Sequence, residues 1–311
     1  KYLNYGGSSQ NELNLSQSQY KMISSGDRHS LALKSDGTVV AWGDNEWDQL
    51  DIPEGLNSVV SISAGYVHSM ALKSDGTVVA WGLNNYGQAN VPSDLNDVIS
   101  IAAGSIVSMA LKSDGTVVVW GSNNYDQINV PDNLTNVKSS VSGGFHSMAL
   151  KTDGTVVAWG INNYGQATVP ADLNDVVSIA ASHKHSIALK SDGTIVGWGN
   201  NNFGQIDAPE GLNDVISISV GYSHSIALKR DGTVVAWGDN DYGQTNVPEG
   251  LNNVVSIDTF TFHSLALKND GTIVAWGRNS DGQADVPEGL IARLPEGLIA
   301  RLPEGLIARL P

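Results

Sequence analysis

Residues 29–43 read His-Ser-Leu-Ala-Leu-Lys-Ser-Asp-Gly-Thr-Val-Val-Ala-Trp-Gly, and this stretch decides the fold because it returns along the chain at a fixed interval. Its Asp-Gly pair and its tryptophan recur in seven copies, every 39 residues. The copies are Asp36, Asp75, Asp114, Asp153, Asp192, Asp231 and Asp270, with Trp42, Trp81, Trp120, Trp159, Trp198, Trp237 and Trp276. A fixed period indicates a repeat architecture. The modules run 20–58, 59–97, 98–136, 137–175, 176–214, 215–253 and 254–292.

Each module predicts four short strands, which we call A to D. In the second module, A covers 59–63, B covers 69–73, C covers 77–81, and a short D ends at Val91-Pro92. Segments A and C are rich in β-branched residues and segment B alternates in residue type, and the Asp-Gly pair between B and C suits a hairpin turn because glycine accepts a positive φ. Seven four-stranded antiparallel units of equal length predict an all-β fold, a seven-bladed β-propeller. The tryptophan of strand C is expected to pack between blades.

The repeat leaves a segment at each end of a propeller that covers 20–292. Residues 1–19 form an N-terminal extension with a degenerate strand, so the ring is expected to close either with an extra outer strand or by exchanging strands between the termini. Residues 293–311 belong to a tail in which Pro-Glu-Gly-Leu-Ile-Ala-Arg-Leu is repeated from Pro287 onward. Proline every eight residues prevents a continuous helix, which leaves a low-complexity tail or an apolar docking or oligomerisation segment.

Composition excludes several classes of protein. The 311 residues include 32 Asp and Glu against 17 Lys and Arg, a net charge of −15, and no Cys. Acidity without clustered basic residues argues against binding to a nucleic-acid backbone. The absence of Cys excludes a disulfide scaffold and Cys-ligated zinc. No apolar run reaches the roughly 20 residues that cross a bilayer, so we expect no membrane insertion.

Residues 29–43, with the following Asn and Gly-Gln and the Val-Pro that ends a module, resemble the repeat of the regulator of chromosome condensation family. The short module is closer to one branch, the propeller-type β-lactamase inhibitory proteins. The resemblance covers about residues 20–290 and implies a propeller. It further implies a secreted, extracellular or periplasmic monomer that binds a protein, most concretely a serine β-lactamase or a related penicillin-binding enzyme. The wedge loop of family members that act as exchange factors has no room in the uniform spacing.

The modules differ mainly in the A–B turn and the C–D loop, which strand alternation places on one face of the disc. The B–C turn and the linker lie on the opposite face. Variable loops on a repeated scaffold are typical of a display surface, and aromatic residues there are typical of protein interfaces. The candidate partner-binding residues are Trp47, Tyr66, Tyr86, Ile106, Tyr125, Phe145, Tyr164, Phe203, Tyr222, Tyr242 and Phe262, together with the acidic Asp44, Asp239 and Asp241.

These residues fall into two predicted sectors around the ring. Acidic residues gather in modules 1, 6 and 7, which are neighbours once the ring closes, and modules 2 to 5 present aromatic and aliphatic residues. A partner with a basic rim and an apolar protrusion would suit both sectors, and electrostatic steering would speed its association.

Candidates for chemistry are few. Six histidines share one module position, which Val107 takes in module 3: His29, His68, His146, His185, His224 and His263. Different blades would hold them too far apart for one ion, so we expect a hydrogen-bonding role. His183 falls outside that register and is expected at the surface. Asp44-Asn45-Glu46 and Asp239-Asn240-Asp241 lack the further ligands of a calcium loop. No nucleophile, base and orienting residue form a set, so we predict no enzyme activity, metal or cofactor.

Two other functions stay open. One aromatic residue per blade could stack on sugars, so the alternative is a secreted carbohydrate-binding or adhesive propeller with multivalent capture. The near identity of the modules also allows a consensus-like scaffold without a dedicated partner.

Overall fold

The computed structural model describes residues 20–287, and this part of the chain consists of twenty-one β-strands in repeating sets of three. The A strands are β1 (Tyr20–Ser25), β4 (Val59–Ala64), β7 (Val98–Ala103), β10 (Val137–Ser142), β13 (Val176–Ala181), β16 (Val215–Val220) and β19 (Val254–Thr259). The B strands are β2 (His29–Lys34), β5 (His68–Lys73), β8 (Val107–Lys112), β11 (His146–Lys151), β14 (His185–Lys190), β17 (His224–Lys229) and β20 (His263–Lys268). The C strands are β3 (Val39–Gly43), β6 (Val78–Gly82), β9 (Val117–Gly121), β12 (Val156–Gly160), β15 (Ile195–Gly199), β18 (Val234–Gly238) and β21 (Ile273–Gly277).

Each set forms one antiparallel sheet in the order A-B-C, which makes one blade. In the first blade, His29 on strand B is paired with Gly43 on strand C. The Asp-Gly hairpin between these strands forms as predicted: Gly37 has a φ of 87°, and the Thr38 N–H donates to the Asp36 carboxylate over 2.8 Å. The seven sheets confirm the predicted seven-bladed all-β propeller.

The predicted strand D does not form, so each blade has three strands instead of four within residues 20–287. In the second blade the Val91 N–H donates to the Ala89 carbonyl over 3.1 Å, and the Leu95 N–H donates to the Pro92 carbonyl over 3.1 Å. These short-range turns use the groups that a ladder with strand C would need, and Pro92 has no N–H to offer. We keep the name C–D loop for the residues between strand C and the linker proline.

The A strands form the inner wall of the ring. Each A strand contacts the A strands of the two neighbouring blades, and all seven line a central cavity of about 200 Å³. The B strands are buried except at their last residue, and the C strands lie outside them. The end of each A strand therefore carries the chain from the central channel to the A–B turn.

The first and seventh blades pack directly against each other and close the ring. Trp42 shares a hydrophobic cluster with Leu265, and Asp258 accepts the N–H and the hydroxyl of Ser25 over 2.6 and 2.7 Å. All seven described sheets contain consecutive strands, so no exchange of strands occurs among residues 20–287. The predicted extension 1–19 and tail 293–311 lie outside the described residues.

The tryptophans join neighbouring blades, as predicted. Trp81 packs in a cluster with Leu31 and Leu33 of the preceding blade. Its indole N–H donates to the Gln49 carbonyl over 2.9 Å, and the Ser69 hydroxyl donates to the same oxygen over 3.0 Å. Two donors of one blade thus meet one carbonyl of the blade before it.

The six repeated histidines have the expected hydrogen-bonding role. His29 Nε2 lies 2.9 Å from Ser69 Oγ of the next blade. Because the Ser69 hydroxyl already donates its proton to Gln49, the imidazole must donate from Nε2. The same contact joins the other five pairs, which are His68–Ser108, His146–Ser186, His185–Ser225, His224–Ser264 and His263–Ser30.

Burial keeps these imidazoles neutral. It lowers the pKa of His29 to about 3 and that of His68 to about 4, because the charged form would lose its hydration. The His–Ser distances would suit a catalytic dyad, but both side chains of the His29–Ser69 pair are completely buried, out of reach of a substrate. Between residues 20 and 287 there is no helix long and apolar enough to cross a membrane.

Candidate functional site

The A–B turns and the C–D loops lie together on one face, as predicted, and we call this surface the loop face. It comprises the turns 26–28, 65–67, 104–106, 143–145, 182–184, 221–223 and 260–262 and the loops 44–53, 83–92, 122–131, 161–170, 200–209, 239–248 and 278–287. A backbone hydrogen bond joins turn and loop in every blade: the Leu83 N–H, for example, donates to the Val67 carbonyl over 3.0 Å.

Two side-chain amides, one of a buried Gln and one of an Asn, fix the shape of each C–D loop. In the second blade, the Gln88 side-chain oxygen accepts the Tyr86 N–H over 2.9 Å, and the Asn84 side-chain oxygen accepts the Ala89 N–H over 3.0 Å. The equivalent Gln and Asn bonds recur in the other six blades, for example at Trp47 and Leu50. The loop is therefore held in one conformation before anything binds. Both residues recur in all seven modules and belong to the motif that carries the family resemblance, but the motif alone does not reveal that they hold the loop.

The fixed loops hold one aromatic side chain outward in each of six blades. Their exposed fractions are 42% for Trp47, 49% for Tyr86, 46% for Tyr125, 48% for Tyr164, 52% for Phe203 and 52% for Tyr242. Of the predicted turn residues, Tyr66 is exposed, whereas Ile106, Phe145, Tyr222 and Phe262 are half-buried. The structure thus brings all predicted aromatic residues to the loop face.

His183 is not the surface residue that the sequence analysis predicts. It is buried on the axis of the ring, where turns from several blades converge. Its ring lies 5.8 Å from Phe145, 4.9 Å from Tyr222 and 5.7 Å from Phe260, and its Nε2 lies 2.8 Å from Ser105 Oγ. Burial lowers its pKa to about 4. The prediction was wrong because an A–B turn is exposed in an isolated blade, but seven such turns meet at the centre of a closed ring.

Gly144 gives His183 its space. A Cβ on Gly144 would collide with Cδ2 of the His183 ring. Tyr66 approaches the same imidazole from the second blade, with 6.3 Å between ring centroids. His183 therefore forms the centre of a plug between the central cavity, which Phe260 also lines, and the loop face.

The aromatic contacts cross the predicted sectors instead of staying in blades 2 to 5. On one side of the axis, Tyr125 contacts Phe145, and Phe145 contacts His183. On the other side, the ring contacts run from His183 to Tyr222, then to Phe262 and Tyr242. The Tyr222–Phe262 centroid distance is 5.4 Å and the Tyr242–Phe262 distance is 5.2 Å. These contacts form a continuous aromatic belt across the axis and into blades 6 and 7. The sequence could not show it, because the belt depends on which turns meet at the axis.

The predicted acidic residues divide into loop-capping and free carboxylates. Asp44 accepts the Glu46 N–H over 3.1 Å, and Asp239 accepts the Asp241 N–H over 3.2 Å. Asp239 is buried and Asp44 half-buried, so both carboxylates serve their own loops. Asp241, Glu46 and the neighbouring Asp48 are exposed and supply the accessible negative charge in this sector.

Three cations of the loop face were missed by the sequence analysis. Arg28 Nε lies 3.4 Å from the Asp27 carboxylate, and Arg278 Nη2 lies 3.2 Å from the Asp281 carboxylate. Lys184 instead lies over aromatic rings, with its ammonium 4.7 Å from the Tyr222 centroid. Both arginine pairs are local, within one turn and one loop, whereas the two rings beside Lys184 belong to the neighbouring blades and become visible only in the closed ring.

The central cavity and the described side chains offer little for metal chemistry. Asp258 lines the cavity, and burial raises its pKa to about 6 despite the hydrogen bonds from Ser25. Among residues 20–287, no three His, Asp or Glu side chains are grouped so that they could hold a metal ion.

The blades and the loop face together define a seven-bladed propeller whose variable face carries exposed aromatic side chains. The sequence matches the Regulator of chromosome condensation (RCC1) repeat at residues 21–46, 59–88, 98–127, 137–166, 176–205, 215–244 and 261–283. These matches cover more than half of the 311 residues. The chain therefore belongs to the RCC1 repeat family. No curated protein matches it.

Solved structures from yeast and plants share the fold. Prp20p from Saccharomyces cerevisiae, studied for its binding to Gsp1p and histones, is 22% identical with a TM-score of 0.66 over 86% of this chain and 84% of Prp20p. The CRINKLY WD40 ectodomain of the Arabidopsis thaliana receptor kinase ACR4 is 20% identical, with a TM-score of 0.68 over 83% of this chain and 97% of that ectodomain. The receptor kinase CR4 ectodomain of Physcomitrella patens is 20% identical, with a TM-score of 0.70 over 83% and 74%. These identities show a common fold.

Proposed function

We propose that this chain is a non-enzymatic propeller that binds a protein partner through its loop face. One observation carries the proposal: six blades hold an aromatic side chain outward, each about half exposed, on a loop that buried Gln and anchored Asn side chains fix in shape. Rigid aromatic side chains lose little conformational entropy on binding and often dominate interface energies.

Two further observations support the proposal. The aromatic contacts are continuous, and on either side of the buried His183 they leave exposed apolar area, at Tyr125 and Tyr242, for a partner to cover. Prp20p, which shares the fold, binds protein partners according to its structural study, and yeast RCC1 (Prp20) has been solved with Kap60 bound. The repeated His–Ser pairs are buried, which favours a structural role for them over a catalytic one.

The narrower form of the proposal is inhibition of a serine β-lactamase by a secreted protein, and the resemblance of the short repeat supports it. Core histones are the second defined partner to test, because Prp20p was studied for binding to them and this chain carries a net charge of −15.

A binding experiment tests the proposal. The full chain is immobilised, and a serine β-lactamase and core histones are passed over it in separate runs, with a glycan array probed in parallel. The face variant combines Tyr86→Ala, Tyr125→Ala and Phe203→Ala, and the matched control combines Lys73→Ala and Lys151→Ala on the opposite face, where both lysines pair with turn aspartates.

We expect saturable protein binding that falls at least about a hundredfold in the face variant, since each truncated interface aromatic costs on the order of 1–2 kcal/mol. The control should bind as the unmodified chain does. Binding of sugars alone, with similar sites in several blades, would favour the carbohydrate alternative. Equal losses in the face variant and in the control would contradict the use of the loop face.

A further inference from the structure

Lys184 differs from the other two cations of the loop face in having no acidic partner. Arg28 and Arg278 each lie within 3.4 Å of a carboxylate, those of Asp27 and Asp281. No carboxylate among residues 20–287 lies within ion-pair distance of Lys184. Its ammonium lies instead 4.7 Å from the Tyr222 ring and 5.5 Å from the Tyr164 ring.

The surroundings of Lys184 favour an ion pair between its ammonium and a partner. The residue is half-buried and adjoins the plug residue His183, and Tyr222 is also part of the aromatic belt. Two rings hold the ammonium in place by cation–π attraction. A partner that covered the belt would exclude water there, and the lower dielectric would strengthen an ion pair made with Lys184.

The scaffold has nearly sevenfold symmetry, so a charge that occurs in one blade sets that blade apart from the others. In the other blades the position of Lys184 is taken by residues of different chemistry: Arg28, Val67, Ile106, Phe145, Ser223 and Phe262. Because the backbone repeats in every blade, a partner could dock in several rotations about the axis unless side chains distinguish them. A single unpaired cation in blade 5, opposite the exposed acidic residues Glu46 and Asp48 of blade 1, distinguishes these rotations.

We infer that the protein partner places an Asp or Glu side chain on Lys184, between Tyr164 and Tyr222, and basic residues against Glu46, Asp48 and Asp241. The footprint of the partner is thus acidic at one central point and basic at one rim. This inference rests on the proposed function and specifies the chemistry of the partner at the same face.

The probe is a yeast-displayed library of disulfide-closed loops, selected on the full unmodified chain. Loops that still bind the Tyr86→Ala, Tyr125→Ala and Phe203→Ala variant are discarded, so that only ligands of the loop face remain. Those ligands are then measured on Lys184→Met, which keeps the apolar stem, and on Lys184→Glu. The matched control is Lys190→Met, in the same blade at the end of strand B.

We expect the selected loops to contain Asp or Glu and to lose at least about tenfold in affinity on Lys184→Met, and more on Lys184→Glu. Lys190→Met should leave affinity unchanged. Replacing the acidic residue of a loop by Lys should restore binding to Lys184→Glu.

Two outcomes would overturn the inference, and they can be told apart. Loops that depend on the aromatic residues but lack acidic residues, or that bind Lys184→Met normally, would refute the Lys184 contact and leave the proposed function standing. A library that gives no ligand dependent on the loop face would refute both.

Discussion

At the scale of single residues, the loop face depends on a side chain that is almost hidden. His183 contacts turn residues of other blades, including Phe145 and Tyr222, and its imidazole occupies space that Gly144 leaves free. The His183–Phe145 contact is edge-to-face, and aromatic pairs contribute about 0.5–1.5 kcal/mol each beyond their buried area. The plug therefore couples the orientation of the aromatic belt to the closure of the ring.

The substitution Gly144→Ala should destabilise the protein by about 1–3 kcal/mol, because the new methyl group would collide with the His183 ring in a packed interior. Urea unfolding measures this loss. The double variant Gly144→Ala with His183→Ala should lose less than the sum of the two single losses, because removing the ring frees the space. Additive losses would mean that the two residues do not compete for one site.

A second residue-scale prediction concerns backbone strain in a C–D loop. Asp48 has a φ of 58°, at a loop position where Gly87 has a φ of 78°. Left-handed backbone is costly for residues with a Cβ, so Asp48→Gly should raise the free energy of unfolding by about 0.5–1 kcal/mol. Asp126→Gly is the matched control, and it should gain less because Asp126 also accepts a 2.8 Å hydrogen bond from Asn129. A loss of stability in Asp48→Gly would contradict the strain argument.

At the scale of elements, the sequence predicted the regular parts of a blade and failed at its outer edge. Asp36-Gly37 and Trp42 have local chemistry that specifies a hairpin and an inter-blade contact, and both form as predicted. Strand D was predicted as a short segment that ends at Val91-Pro92, but the choice between a ladder and a series of turns depends on whether this segment reaches the edge of strand C. That information is tertiary.

The seam between blades 7 and 1 shows the same limit. Asp258 occupies a strand position where the equivalent Ser24 and Ser63 hydroxyls accept an N–H of the next blade, over 3.0 Å for Ser24 and 2.8 Å for Ser63. At the seam the acceptor is a carboxylate, bound to Ser25. The repeat pattern marks Asp258 as an exception, but only the closed ring shows that its carboxylate accepts from Ser25 of blade 1.

Asp258→Asn should be more stable than the unmodified chain at pH 8, by about 1 kcal/mol. The reason is that burial raises the pKa of Asp258 to about 6, so an ionised carboxylate is disfavoured in the folded state above that pH, whereas Asn keeps an acceptor for Ser25. As the pH falls from 8 to 5, the carboxyl becomes protonated in the folded chain and this advantage shrinks. Urea unfolding at both pH values measures the difference, and Asp258→Ala should be less stable at either pH because it lacks the acceptor. A destabilised Asp258→Asn at pH 8 would contradict this role.

At the scale of the whole molecule, the buried histidines should make the fold sensitive to acid. All seven have a lowered pKa, of about 3 for His29, His146, His185, His224 and His263 and about 4 for His68 and His183. Histidines in the unfolded chain have a pKa of about 6.5, so below this pH they bind protons, whereas the buried histidines of the folded chain stay neutral. The free energy of unfolding therefore falls as the pH decreases towards the pKa values of the folded state. Asp258 acts in the opposite direction between about pH 4 and 6, but it is one group against seven.

Each histidine should contribute a slope of up to about 1.4 kcal/mol per pH unit between pH 6 and 4. The free energy of unfolding in urea, measured at pH 7.5, 6, 5 and 4.5, gives the total slope. Blade 3 carries Val107 at the position of His68, so His68→Val introduces a side chain that this position already accepts. The variant should reduce the slope by about 1.4 kcal/mol per pH unit, which corresponds to one proton. A stability that stays constant from pH 7 to 5 would show that the imidazoles are not buried as described.

The central claim is that a partner docks on the loop face, and hydrogen–deuterium exchange of the complex tests it most directly. The chain is compared free and bound to the serine β-lactamase or the core histones that bind it. Slower exchange is predicted in the A–B turns and C–D loops, above all at 143–145, 182–184 and 161–170, with the B–C turns unchanged. Protection confined to the B–C turns, such as 74–77, would contradict the claim.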